Sequence, residues 1–220
     1  MSAARPLLIV GAGGFAREAA AAVRAANDVR PEWMLLGLLD DDPARHGTVV
    51  DDLCVLGPVD AVHQHPDAAV LVCTGNPRNY RSRRDIVARL GLPAERHPVL
   101  RHPAASIAAG TEIGPGTVLL AGTVVTAPQR VGAHVAAMPQ VVLTHDDAVG
   151  DYVTLASRVA LGGRVTVEEG AYLGAGALVR EGLAVGAWAL VGMGSVVLRD
   201  VPRGEVWAGA PARRLRAGPG

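Results

Sequence analysis

The sequence predicts a small Rossmann-like α/β domain followed by a left-handed parallel β-helix built from six-residue repeats, or hexads. From Ile107 to Val197 every sixth residue is aliphatic, and only Ala137 in this series is not Ile, Leu or Val. A period of six fits neither an amphipathic helix nor an alternating strand, whereas three hexads close one triangular coil of a parallel β-helix. Before residue 104 short apolar strands alternate with helical segments, which is typical of a parallel α/β unit.

Sixteen hexads form the predicted β-helix. Their inward-facing residues are Ile107, Ile113, Leu119, Val125, Val131, Ala137, Leu143, Val149, Leu155, Leu161, Val167, Leu173, Val179, Val185, Val191 and Val197. Four residues later, most hexads carry a second, small or β-branched residue that we expect to fill a coil corner. This set comprises Thr111, Thr117, Thr123, Val135, Val141, Val153, Val159, Val165, Ala171, Ala177, Ala189, Ser195 and Val201. The series predicts about five coils and a prism about 25 Å long.

The first hundred residues follow a different pattern. Strands are predicted at about 7–10, 34–39 and 69–73, and helices at about 16–26 and 78–90. Pro93, Pro98 and Pro103 then mark the passage into the repeats. We therefore expect an α/β domain at 1–104, a β-helix domain at 105–202 and a C-terminal tail at 203–220.

A glycine-rich turn joins the first predicted strand to the first helix. Its pattern Gly11-x-Gly13-x-x-Ala16 is the context of a phosphate-binding turn, where backbone approaches a diphosphate and the helix N-terminus offers free N–H donors. An ordinary tight turn is the alternative. The domain is too short for a complete dinucleotide fold, so a nucleoside diphosphate fits better than NAD.

Polar residues follow the second and third predicted strands. Asp40 and Asp41 could accept hydrogen bonds from a ribose or a base, with a solvated acidic loop as the alternative. Gly75 and Asn76 would line the same crevice, because the carboxyl ends of parallel strands meet at one edge of a sheet. A turn that caps the second helix explains Gly75 and Asn76 equally well.

Composition argues against several classes of partner. The 21 acidic residues balance 21 basic ones, all of them Arg. The net charge is therefore zero and does not indicate binding to nucleic acid or to an anionic membrane. No apolar run approaches the ~18–20 residues of a membrane span, and residues 1–6 do not resemble a signal peptide. Cys54 and Cys73 lack the spacing of a metal site, so we expect a cytoplasmic protein with two free thiols.

The predicted β-helix contains two histidines, His134 and His145, and both fall outside the inward-facing series. We therefore expect both to project outward. His145 precedes Asp146 and Asp147, and a carboxylate beside an imidazole fixes its tautomer and stabilises the imidazolium, as a general base requires. A solvated surface histidine is the plain alternative. Two histidines with acidic neighbours are a weak zinc signal, so no metal is expected.

Five features of the chain together resemble the sugar O- and N-acyltransferases. They are the small α/β domain, the Gly11–Gly14 turn, the Leu39-Asp-Asp41 strand end, the Thr144–Asp151 segment and the Val206–Arg213 tail. That family includes the UDP-4-amino-sugar N-acetyltransferases of bacillosamine synthesis, the GDP-perosamine N-acetyltransferases and the sialic-acid O-acetyltransferases. The resemblance covers nearly the whole chain.

The resemblance implies a role for each matching residue. His145 matches the catalytic base and Asp146 its acidic neighbour. The positions that match the nucleotide-sugar site are Gly13, Gly14, Phe15, Asp40 and Asp41. Acetyl-CoA would lie between prisms of a homotrimer, at positions matching Thr154, Gly163, Ala175 and Met193, with the 209–213 segment near the adenosine. The chain departs from many relatives at three positions. Relatives often carry His where this chain has Thr154 and Cys where it has Asp147, and some carry a polar residue where it has Met138.

The expected function is acetyl transfer from acetyl-CoA to the amine of a nucleotide-linked 4-amino-4,6-dideoxy sugar. An O-acetyltransferase of a sialic-acid-like sugar and a non-catalytic nucleotide-binding trimer are the alternatives. An NAD-dependent oxidoreductase does not suit the short first domain. The arginines at 78, 81, 83 and 84 are expected to form a solvated helix face rather than a nucleic-acid site.

Overall fold

The computed structural model describes residues 4–217 and divides the chain into two compact units, with the division between Pro103 and Ala104. Within its described residues, 4–103, the first unit contains two α-helices and six strands. Its elements are β1 (Arg5–Val10), α1 (Gly14–Val29), β2 (Trp33–Leu39), β3 (Val49–Val50), β4 (Leu53–Gly57), β5 (Ala69–Val72), α2 (Ser82–Leu90) and β6 (Leu100–Arg101). Short 3₁₀ turns cover Pro43–Arg45, Val59–Gln64 and Ala94–Arg96.

The first five strands form sheet I, in the order β3-β4-β2-β1-β5. All pairs are parallel except β3 with β4. The run 7–10 of β1 is fully buried, and α1 presents small residues such as Ala16, Ala19 and Ala20 to the interior. Because β2 and β5 flank β1 on opposite sides, the strand order reverses there, and a crevice opens at the carboxyl ends of these strands.

The first unit departs from the sequence-based expectation in three places. The β3–β4 hairpin was not predicted, although β4 joins sheet I beside β2. Helix α1 continues to Val29, and α2 begins at Ser82 rather than near Arg78. The Asn76 side chain accepts hydrogen bonds from the N–H groups of Arg78 (2.9 Å) and Asn79 (3.1 Å), so a turn precedes α2.

The second unit begins with sixteen two-residue strands, one for each predicted hexad. They are β7 (Ser106–Ile107), β8 (Glu112–Ile113), β9 (Val118–Leu119), β10 (Val124–Val125), β11 (Arg130–Val131), β12 (Ala136–Ala137), β13 (Val142–Leu143), β14 (Ala148–Val149), β15 (Thr154–Leu155), β16 (Ala160–Leu161), β17 (Thr166–Val167), β18 (Tyr172–Leu173), β19 (Leu178–Val179), β20 (Ala184–Val185), β21 (Leu190–Val191) and β22 (Val196–Val197). Each aliphatic residue of the series is the second residue of its strand.

These strands form three parallel sheets, because each strand pairs with the strand three hexads, or eighteen residues, further along. Sheet II contains β7, β10, β13, β16, β19 and β22; sheet III contains β8, β11, β14, β17 and β20; sheet IV includes β9, β12, β15, β18 and β21. The aliphatic series points inward and forms one continuous apolar cluster. The predicted parallel β-helix is confirmed.

The C-terminal segment adds a hairpin to sheet IV. Strand β23 (Glu205–Gly209) pairs in parallel with β21, and β24 (Ala212–Ala217) returns antiparallel to β23. The segment predicted as a tail therefore continues the prism as far as the structure describes it. Neither α-helix within residues 4–217 is long and apolar enough to cross a lipid bilayer.

Candidate functional site

His145 lies at the bend between strand β13 of sheet II and strand β14 of sheet III, which we call the His145 corner. Its side chain is 60% exposed, and its Nδ1 lies 2.8 Å from Oδ2 of Asp146. An ionised Asp146 can only accept, so Nδ1–H donates this bond, and in the neutral imidazole Nε2 is then the nitrogen with the lone pair. The pair thus presents an oriented imidazole that can take up a proton at Nε2.

Gly163 occupies the same corner one coil further along. A Cβ added to Gly163 would lie 2.5 Å from both Cε1 and Nε2 of His145, so the imidazole ring lies directly on the glycine. The backbone carbonyl of His145 also accepts a hydrogen bond from the N–H of Arg164 at 2.9 Å. His145, Asp146 and Gly163 therefore form one contact set across two successive coils.

Asp147 lies beneath this corner. The sequence analysis named it only as an acidic neighbour of His145 and predicted no functional role for it. Its side chain is 3% exposed and accepts hydrogen bonds from the N–H groups of Thr144 (2.8 Å) and Val165 (2.9 Å). Burial raises the pKa of the Asp147 carboxyl, against the opposing effect of these two bonds. The repeat contained a signal for this burial, because Asp147 stands four residues after the inward-facing Leu143.

His134 does not project into solvent, and this expectation was wrong. The residue is 5% exposed, and its ring stacks on that of Tyr152 with centroids 5.2 Å apart. A Cβ on Gly116 would overlap Nδ1 of His134, so the ring fills the space left by that glycine. His134 is a packed residue of the prism edge, enclosed by residues one coil away on each side.

Ala175 and Met193 meet at a different corner, between sheets IV and II. The carbonyl of Ala175 accepts a hydrogen bond from the N–H of Gly194 at 2.8 Å, and Met193 is 78% exposed. Thr154 is buried in strand β15 of sheet IV. Within the chain, the residues matched to the acetyl-CoA site therefore lie on both edges of sheet II and on sheet IV.

A shallow groove runs beside Ala175, at a position that sequence reasoning did not single out. It is lined by Pro139, Gln140, Ser157, Arg158, Ala175 and Gly176. Arg158 carries the one charged side chain of this lining, and its Nε donates to Oε1 of Gln140 at 2.8 Å. The groove thus offers a cation and small residues, which suit an extended anionic ligand.

The glycine-rich turn of the first unit presents an uncapped helix start. Gly13 is the N-cap of α1 and supplies no side-chain cap, while Gly13 and Gly14 are exposed and a Cβ on either would meet no atom within 4 Å. Phe15 is half-buried behind them. The first N–H groups of a helix lack intrahelical partners, so this opening can receive an anion.

The carboxylates of Asp40 and Asp41 accept hydrogen bonds from backbone N–H groups around that crevice. Asp40 accepts hydrogen bonds from the N–H groups of Ala12 (2.9 Å) and Asp42 (3.0 Å), which ties the glycine turn to the end of β2. Asp41 accepts from the N–H of Val59 (3.1 Å) and pairs with Arg89 at 2.8 Å. Burial acts to raise the pKa of Asp41, but the bonds from Arg89 and Val59 outweigh it and hold the pKa below its usual value.

At the carboxyl end of β5, a turn lies beside the buried guanidinium of Arg83. Gly75 and Asn76 are exposed, and the Asn76 side chain organises the turn before α2 through its two backbone bonds. Arg83 is 2% exposed, and its Nη1 donates to the carbonyl of Thr74 at 2.9 Å. The expectation that this arginine group forms a solvated face is wrong for Arg83, because it reaches back to the end of β5.

No group of three or more His, Cys, Asp or Glu side chains in the described part of the chain is arranged to hold a metal ion.

Solved structures resemble the chain over nearly its whole length. The acetyltransferase domain of PglB from Neisseria gonorrhoeae is 28% identical, with a TM-score of 0.82 over 96% of this chain and all of that one. A His→Asn variant of perosamine N-acetyltransferase from Caulobacter crescentus, in complex with CoA and GDP-perosamine, is 26% identical, with a TM-score of 0.84 over 97% and 98%. WeeI from Acinetobacter baumannii AYE is 27% identical, with a TM-score of 0.81 over 96% and 100%. No protein-family model matches the sequence, and no curated protein matches it significantly.

The fold and the solved neighbours together identify an acyltransferase. Within that class the chain is similar to the sugar N-acetyltransferases, which confirms the resemblance seen in the sequence.

Proposed function

We propose that the protein transfers the acetyl group of acetyl-CoA to the amine of a nucleotide-linked 4-amino-4,6-dideoxy sugar. The observation that carries this proposal is the His145–Asp146 pair seated on Gly163, which orients an imidazole with a free Nε2 at an exposed corner. Similarity to a perosamine N-acetyltransferase solved with CoA and GDP-perosamine supports the substrate class.

The reaction moves one proton from the sugar amine to the CoA sulfur through His145 and requires no covalent enzyme intermediate. The neutral sugar amine attacks the thioester carbon of acetyl-CoA while Nε2 of His145 removes a proton from the amine, and Asp146 stabilises the imidazolium. The tetrahedral intermediate then expels the CoA thiolate, which is protonated to the thiol. A backbone N–H near Gly163 would stabilise the oxyanion, an effect worth about 3–4 kcal/mol in other enzymes.

The first unit is proposed to bind the nucleoside diphosphate. The open N-terminus of α1 at Gly13, Gly14 and Phe15 suits the diphosphate, because its N–H groups and positive dipole end face the opening. Asp40 and Asp41 keep lone pairs for ribose or base donors. Gly75 and Asn76 would border the same crevice at the end of β5.

Acetyl-CoA is proposed to bind between prisms of a homotrimer, near Thr154, Gly163, Ala175 and Met193. The two edges of sheet II carry Gly163, Ala175 and Met193 together with His145, so a second copy packed on sheet II would bring the edges of neighbouring protomers together. The outward residues of sheet II support this packing, since five of the six are apolar: Ser106, Val124, Val142, Ala160, Leu178 and Val196. We call this surface the apolar face.

The proposal is tested by release of free CoA from acetyl-CoA with a panel of UDP-, GDP- and dTDP-linked 4-amino-6-deoxyhexoses. His145→Ala should lower turnover about 10²–10⁴-fold, because the amine then loses its proton acceptor, while binding of the nucleotide sugar stays unchanged.

His63→Ala is the matched control, because His63 is an exposed histidine of the first unit, far along the chain from the repeats. It should turn over at the wild-type rate. Activity of His145→Ala within a few-fold of wild type would contradict the role of the base. CoA release only with a sialic-acid-like hydroxyl acceptor would mean that the enzyme acetylates an alcohol rather than an amine. Nucleotide binding without CoA binding would exclude a catalytic function.

A further inference from the structure

The ladder of sheet II is interrupted at one place, directly before His145. Strand β13 pairs with β10 through two residue pairs, and β16 pairs with β19 through two, but β13 and β16 share only the pair Val142–Ala160. At equivalent strand ends, the N–H of Thr126 donates to the carbonyl of Leu143, and that of Gly162 to Val179. By this pattern the N–H of Thr144 should donate to the carbonyl of Leu161.

Thr144 makes a different set of bonds. Its N–H donates to Oδ2 of Asp147 at 2.8 Å, and its hydroxyl, rather than its backbone, donates to the carbonyl of Leu161 at 3.1 Å. The coil-to-coil contact is thereby kept through a side chain, while the backbone of residue 144 turns toward Asp147. The turn that follows carries His145 onto Gly163 of the next coil.

Asp147 is also bonded to the coils on either side. Its Oδ1 accepts the N–H of Val165 at 2.9 Å, and its own N–H donates to Oε1 of Gln129 at 3.0 Å. The residues at the same interior corner, eighteen apart, are Thr111, Gln129, Asp147, Val165, Leu183 and Val201. Asp147 is the charged member of this row, and an aliphatic side chain would fill the corner without the desolvation cost of a buried carboxylate.

We infer that Asp147 is a positioning residue that sets the backbone of residues 144–146 so that the His145 imidazole rests on Gly163. The inference rests on the proposed role of His145 as the base. Two backbone N–H groups, one before His145 and one after Gly163, converge on the same buried carboxylate. The carboxylate therefore fixes the imidazole and the glycine relative to each other, while its own side chain is buried.

The test compares Asp147→Val and Asp147→Asn with wild type. Valine is the residue of the same corner at 165 and 201, so it should fold, but it accepts neither N–H. Asparagine has the same shape and keeps one acceptor oxygen. We expect kcat to fall about 10–100-fold in Asp147→Val, since small displacements of a catalytic group carry penalties of this size, and to be intermediate in Asp147→Asn. The KM for both substrates should stay within about twofold.

Thr117→Val is the matched control. Thr117 is fully buried at an interior corner away from His145, donates to the carbonyl of Gly132 (2.8 Å) and accepts the N–H of Val135 (3.0 Å). Like Asp147→Val, it removes the side-chain acceptor of a buried backbone N–H, and it should keep the wild-type kcat. A kcat of Asp147→Val within twofold of Thr117→Val, or a change confined to KM, would overturn the inference.

A second measurement separates this inference from the proposed function. Hydrogen–deuterium exchange without substrates should be at least tenfold faster across residues 142–149 and 163–166 in Asp147→Val, whereas Thr117→Val should affect residues 132–137. Unchanged exchange around His145 would refute the positioning role even in an inactive protein. A wild-type enzyme inactive with every acceptor, but with the expected exchange pattern, would refute the proposed function alone.

Discussion

At the scale of single residues, the contact between His145 and Gly163 leaves no room for a methyl group. Gly163→Ala would place a Cβ 2.5 Å from the imidazole, and the ring, as the end of a flexible side chain, must move. We expect kcat to fall about 10–100-fold, because the base is displaced from its productive position. Steady-state kinetics with the acceptor found in the panel would measure this.

The double variant with His145→Ala provides the control for Gly163→Ala. Once the ring is gone, the added methyl group has open space, so its effect on the melting temperature should largely disappear. An equal loss of stability in both backgrounds would mean that the methyl group acts through the backbone, and that the ring contact is not its cause.

The sequence predicts the residues of this corner better than their contacts. His145 and Asp146 are adjacent, so their pairing needs little more than local geometry. Gly163 lies one coil after His145, and the period places it at the same corner, but only the structure shows the ring lying on it. Asp147 was recognisable as an interior residue from its distance to Leu143. His134 was misjudged, because the period identifies neighbouring residues but not the side-chain orientation that buries a ring between them.

At the scale of the repeat, glycines at coil bends meet two separate demands. Gly116 and Gly182 both have a φ of +72°, where any side chain costs about 1 kcal/mol. A methyl group on Gly116 would also overlap the ring of His134, whereas a methyl group on Gly182 would meet open space. The same backbone conformation thus occurs with and without a steric constraint.

Alanine at these two positions should separate the two costs. Gly182→Ala should lower the free energy of unfolding by about 1 kcal/mol, and Gly116→Ala by about 1–3 kcal/mol more, because the His134–Tyr152 stack must shift. Urea unfolding of both variants at one protein concentration would measure the difference. Equal losses would show that the stack accommodates the methyl group freely.

The sixteen repeat strands of the second unit were predictable because the inward residues set the period and the period sets the strands. The β23–β24 hairpin lies beyond the repeats and was not predicted. The first unit was also less predictable than the repeats. Strand β3 has two residues, too few for a pattern, and β4 follows it after a tight turn. The start of α2 was placed too early because the arginines after residue 77 suggest a helix, whereas the Asn76 side chain binds the two N–H groups that begin a turn.

At the scale of the whole molecule, the apolar face of sheet II differs from the outer face of sheet III. Its Leu178 is 47% exposed, whereas the outward residues of sheet III include Glu112, Arg130 and Thr166. Exposed apolar patches of this kind are typical of surfaces that bind another protein. This contrast makes sheet II the face that we expect to be covered in the proposed homotrimer.

Leu178→Glu should therefore dissociate the trimer, because it would bury a charge at the interface. Thr166→Glu, which adds the same charge to sheet III, should leave it intact. Light scattering at micromolar concentration distinguishes the two states. A monomeric wild type would contradict the homotrimer, and a trimer that tolerates Leu178→Glu would move the interface to another face.

The stacking of strands at intervals of eighteen residues also constrains how the chain can change length. Adding or removing a whole coil lengthens or shortens the prism while every later residue keeps its face. Adding a single hexad turns everything beyond it by one side of the triangle. Between His145 and Gly163 such a change would carry the glycine to another corner, so in this stretch we expect length variation in lineages that keep the contact to come in whole coils.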